Sequence, residues 1–90
     1  MVTRKTLEAL YTVYYKATEA LRQDGQAGHA ERLHEDYGHE LSAWSAWYDN
    51  GEYADERPDE YRPTLAGLNA ELKGYGFKAI GGKNPRVVKL

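Results

Sequence analysis

Residues 33–40 read Leu33-His34-Glu35-Asp36-Tyr37-Gly38-His39-Glu40. The fold turns on whether LHEDYGHE is a displaced metal-binding signature or an amphipathic helix that happens to carry histidines. A zinc-binding helix of the His-Glu-x-x-His kind sets its two histidines at i and i+4, so that both imidazoles face one ion. Here His34 and His39 are five apart, which at roughly 100° per residue leaves the rings about 140° apart around the helix. His29 points in a third direction. The stretch therefore reads as plain helix, with no metal or other cofactor expected. On the same wheel Ala30, Leu33, Tyr37, Leu41, Trp44 and Tyr48 fall within an arc of about 80°. This narrow seam predicts a helix over 29–49, with Trp47 at its edge and Asn50-Gly51 as its stop. His34 flanks the seam and should find a partner for one ring nitrogen; His39 should face solvent.

A partner for the seam lies upstream. Leu7, Leu10, Tyr11, Tyr14, Thr18 and Leu21 recur at helical spacing, widened by Val13, Ala17 and Ala20, and predict a helix over 6–22. Thr3 or Thr6 can cap its start, and Asp24-Gly25 supplies a stop. The short connection Gln26-Ala27-Gly28 favours an antiparallel helical hairpin with an aromatic core. Downstream, 52–62 reads EYADERPDEYR, a polar acidic loop with one helical turn. Pro63 suits the first turn of a short third helix over 63–73, where Leu65, Leu68 and Leu72 share a face and Gly74 ends the run. Residues 75–90 hold two β-prone runs around Gly81-Gly82-Lys83-Asn84-Pro85, which predicts a hairpin with Pro85 in the turn or on an edge. The expected fold class is α+β, mainly helical, with the order helical hairpin, third short helix and C-terminal β-hairpin.

The chain has 90 residues, which suits one small domain over 1–90. Eleven aromatic residues (Trp 2, Tyr 8, Phe 1) can fill its core, and with no cysteine there is no disulfide or thiolate chemistry. No apolar run approaches the ~18 residues of a membrane span, and the first residues lack a signal-peptide pattern. A soluble, cytoplasmic protein without a membrane role is expected.

The net charge of −2 hides an asymmetry. Residues 1–30 hold four basic and three acidic side chains, 31–60 hold two and ten, and 61–90 hold six and one. The simplest reading lets the acidic middle neutralise the basic end within one fold; otherwise each block faces its own partner.

Catalytic chemistry finds little footing. Ser42 and Ser45 lie within the second helix without a neighbouring base, the row Glu31, Glu35 and His39 reads as a solvated face, and Gly74-Tyr75-Gly76 lacks the rest of a nucleotide-binding fingerprint. The chain is not expected to be an enzyme. Two binding readings remain. In the first it is an interaction protein, a small regulator or inhibitor that docks on a basic protein partner through Glu52, Tyr53, Asp55, Glu56, Asp59, Glu60 and Tyr61. Carboxylates there would speed encounter and tyrosines would anchor it. In the second, helix followed by β-hairpin resembles the order of a winged helix, and Lys73, Lys78, Lys83 and Arg86 contact nucleic-acid phosphate, with Asn69 and Lys73 as base readers. A sequence pI near 5.9 speaks against general nucleic-acid affinity. A symmetric homodimer would bury any surplus of the aromatic seam.

Overall fold

The first helix begins where Thr3 can close it: its hydroxyl oxygen accepts from the Thr6 amide at 3.1 Å. In the computed structural model, which describes residues 2–50 and 56–90, α1 runs Arg4–Gln23. It stops at Asp24, and Gly25 takes a φ of 75° that a side chain would strain. The second helical run starts two residues earlier than its apolar pattern suggests. It comprises α2 (Ala27–Leu33), a π-helical turn (His34–Gly38) and α3 (His39–Asp49) in unbroken helical backbone. All six seam residues, Ala30, Leu33, Tyr37, Leu41, Trp44 and Tyr48, are buried against α1 residues Leu7, Leu10, Val13, Tyr14, Ala17, Thr18 and Leu21. The hairpin is antiparallel. Tyr48 near the end of α3 donates to the Val2 carbonyl at 2.6 Å, whereas Tyr14 meets Tyr37 halfway along.

The π turn has a local cause that helical periodicity alone does not reveal. At Gly38 an added Cβ would lie 2.5 Å from the Tyr14 hydroxyl oxygen and 2.9 Å from the ring carbon that bears it. The ring of α1 thus occupies the space a side chain would need, and a wide turn is a usual result when a neighbouring group presses into a helix.

Helix α4 spans Leu65–Tyr75, two residues later than expected at both ends. Pro63 is buried just outside it rather than in its first turn, because Thr64 takes the cap and accepts from the Gly67 amide at 2.9 Å. At the other end Gly74 stays helical and Gly76, at φ 88°, makes the left-handed stop. Leu68 and Leu72 are fully buried. Strands β1 (Phe77–Ile80) and β2 (Arg86–Lys89) pair antiparallel, with Phe77 opposite Lys89 and Ile80 opposite Arg86. Phe77, Ala79 and Val87 face the core and Lys78 and Arg86 face outward. The architecture is therefore mainly helical α+β: a helical hairpin, a short helix and a C-terminal β-hairpin.

Two tyrosines tie this core to pH. Burial pushes the Tyr37 hydroxyl well above its ordinary value of 10.0, and burial also raises Tyr14. Tyr37 donates to the Thr64 carbonyl at 2.9 Å and so pins the start of α4 to the second helical run. A group whose folded pKa is raised gives stability that is whole below its unfolded pKa and is lost as pH climbs toward the folded one. Stability should accordingly fall above about pH 10, by up to about 1.4 kcal/mol per pH unit for each such tyrosine. Urea melts of Tyr37→Phe between pH 8 and 11 should start lower and show a shallower alkaline decline.

Candidate functional site

The three histidines that opened the metal question take three separate partners. His34 Nδ1 lies 2.8 Å from the Tyr14 hydroxyl, as its place beside the seam implies. His29 stacks on Tyr75 at 4.2 Å and 11°, with its Nδ1 2.6 Å from the Gln26 side-chain oxygen. His39 is exposed, yet its Nε2 is 3.2 Å from the Tyr61 hydroxyl. No group of three His, Cys, Asp or Glu side chains converges on a metal position among the described residues. Nor is any helix there long and apolar enough to cross a membrane.

Of the acidic loop residues, Glu52, Tyr53 and Asp55 lie outside the described residues, as does Gly51 of the helix stop. Glu56 and Glu60 are exposed. Asp59 sits 2.7 Å from Arg57, whose hydrogen bond holds its carboxyl below the ordinary range. Tyr61 turns inward. It is half-buried, and its carbonyl accepts from the Trp44 indole at 2.8 Å. The described part of the loop is thereby strapped to the helical hairpin with its carboxylates outward.

The basic residues Lys73, Lys78, Lys83 and Arg86 are all exposed. Among the described residues none of them joins a salt bridge, and no ion pair links loop to hairpin. Lys89 pairs with Asp24 at the end of α1, at 2.7 Å, so part of the basic end is neutralised by a residue the charge blocks did not single out. The recognition-helix expectation meets a structural obstacle in Asn69. Its side chain donates to the Ala79 carbonyl at 2.9 Å and accepts from the Ala79 amide at 2.7 Å. With both ends committed, Asn69 is not a free base reader. The exposed residues of α4 are otherwise Ala66, Gly67, Ala70, Lys73 and Gly74, which carry one base-reaching side chain among them.

A different surface emerges on α1. Tyr15 is 61% exposed, and it stacks on half-buried Tyr11 at 5.5 Å and 27°. Below this pair lies a cleft of ≈ 170 Å³ between α1 and α3, lined by Arg4, Leu7, Glu8 and Tyr11 on one side and Ser45, Tyr48 and Asp49 on the other. The Arg4 guanidinium caps the Tyr48 ring at 4.7 Å. Tyr15 is legible in the sequence as an aromatic off the apolar stripe; Tyr11 is hidden there, because it sits on the stripe's edge and reads as core. A larger groove of ≈ 390 Å³ runs between α1 and the hairpin turn, walled by Leu10, Val13, Leu65 and Pro85 with Lys5 at its side.

Chemically, the α1–α3 cleft sets the Tyr11 ring beside the carboxylates of Glu8 and Asp49, with the Tyr48 face already covered by the Arg4 guanidinium. No protein-family model, curated protein or solved structure matches this chain.

Proposed function

We propose that the chain is a non-catalytic protein-interaction module that docks a basic partner on the tyrosine cleft between α1 and α3. The observation that carries this reading is Tyr15. A large aromatic ring held in solvent by a stack on Tyr11 has already given up much of its rotamer freedom, so binding costs it little further entropy. Glu8 and Asp49 in the cleft wall, and Glu56 and Glu60 in the loop, supply the charge that would steer a basic partner.

Tyr15→Ala tests it. Because the ring is exposed, the variant should melt within about 1–2 °C of the parent, whereas affinity for a partner identified by cross-linking should fall about thirtyfold, as expected for an aromatic anchor. Glu56→Lys with Glu60→Lys should slow association and leave dissociation nearly unchanged. The competing reading has its own signature: affinity for a short DNA duplex that drops steeply with salt, disappears in Lys83→Glu/Arg86→Glu and survives Tyr15→Ala. That result would sink the protein-docking proposal.

A further inference from the structure

The β-hairpin has one closed edge and one open edge. In an antiparallel pair a residue points both of its main-chain groups either toward the partner strand or away from it, in alternation. Ala79 points away from β2, because Asn69 takes both its amide and its carbonyl. Val87 is the residue opposite Ala79, so its N–H and C=O point off the far side of β2; Lys89, opposite Phe77, follows the same parity. The ladder is carried instead by the intervening residues, and the Leu90 amide extends it to the Gly76 carbonyl at 2.9 Å. No hydrogen bond of the described residues engages the outward main-chain groups of Val87 or Lys89. Asn69 therefore blunts the β1 edge, while β2 presents a short template for another strand.

Helix α1 runs beside that edge and leaves a groove of ≈ 240 Å³, lined by Lys16, Glu19, Ala20, Gln23, Arg86 and Val87. Ala20 keeps the floor low. Lys16 stands on the helix side and Arg86 on the strand side, and the Glu19 carboxylate is engaged by the Gln23 amide at 3.2 Å. We infer that the free edge of β2 binds an extended acidic peptide segment, which adds as a third strand in the groove between β2 and α1. Charge selects this occupant. Lys16 and Arg86 face the groove, Lys83 stands in the adjoining turn, and no acidic residue follows Glu71 in the chain. A second copy of β2 would lay Arg86 and Lys89 beside the same two cations, whereas glutamates on either face of an incoming strand would meet Lys16 or Arg86. The site shares no lining residue with the tyrosine cleft and takes a partner of opposite charge, so it goes beyond the reading above and does not depend on it.

The experiment uses the full chain and a fluorescein-labelled, end-blocked hexapeptide that alternates glutamate and valine. Anisotropy should show saturable binding, and amide exchange by NMR should slow at Val87 and Lys89, which exchange freely without peptide. Val87→Pro removes an outward donor and no ladder bond, so it should weaken binding about tenfold or more while the exchange of Lys78, Ile80 and Val88 stays protected. The peptide N-methylated at alternate residues needs no change to the protein and should fail to bind. Lys16→Glu with Arg86→Glu should also weaken binding about tenfold. Absence of saturable binding would overturn the proposal, as would equal affinity for the N-methylated peptide or for a lysine–valine peptide. Dimerisation that protects the Val87 and Lys89 amides without peptide would overturn it in favour of a second copy.

Discussion

Trp44→Ala should lower the free energy of unfolding by about 3–5 kcal/mol, the usual cost of deleting a buried tryptophan. Trp44 is fully buried, edge-on to Trp47 at 5.8 Å and tilted against Tyr48 at 6.3 Å. Its indole N–H also holds the Tyr61 carbonyl, so removal leaves both a cavity and a detached strap. Small domains possess about 5–15 kcal/mol in all, and each 1 kcal/mol moves the melting temperature of a chain this size by about 4–8 °C. The variant should melt at least about 12 °C lower by circular dichroism. Trp44→Phe separates the two losses. It retains most of the ring and removes only the donor, so it should cost about 1–3 kcal/mol. If Trp44→Phe proves as damaging as Trp44→Ala, the strap on Tyr61 rather than core volume dominates this position.

Gly38→Ala should destabilise by about 1–3 kcal/mol, despite alanine being the better helix former by about 1 kcal/mol. The added methyl carbon would lie 2.5 Å from the Tyr14 hydroxyl oxygen, and Tyr14 is itself buried between Tyr15 and Tyr37 with little room to retreat. In a background of Tyr14→Leu, which clears the ring, the same change should become neutral or stabilising. A double-mutant cycle by urea unfolding should therefore return a coupling of about 1 kcal/mol or more. Additive effects would mean that the ring and the π turn are not linked in the way argued above.

These two positions also mark how far the chain could be read without its structure. Trp44 was legible: apolar residues spaced three and four apart place it at the centre of a seam, and burial of that seam is what makes the helix stable at all. His34 was legible as a boundary residue for the same reason. Gly38 was not, because its role depends on a ring twenty-four residues upstream, and helical periodicity carries no information about what the opposing helix inserts. Pro63 and Gly74 misled by two residues, since each is a generic helix-end signal and the side chain of Thr64 and the left-handed Gly76 took those roles.

For the candidate surfaces the division is sharper. Composition identified an acidic middle and a basic end, and the structure adds that Tyr15, which lies off the apolar stripe of the first helix, is exposed. Asn69 looked like a base reader because it sits on a short helix before a basic hairpin. The tertiary fold instead brings it against Ala79, where it satisfies a strand edge and, through β-sheet parity, leaves the opposite edge open.

By itself the sequence determined the buried seam, the separation of charge and the class of every described element except the π turn, because these follow from local periodicity and residue chemistry. Only the tertiary structure decided the π turn at Gly38, the inward tether of Tyr61, the open edge of β2 and the pairing of Lys89 with Asp24. Each of these depends on which distant groups meet, and that is settled by packing and by the need to satisfy buried hydrogen bonds, neither of which is written in any single stretch of the chain.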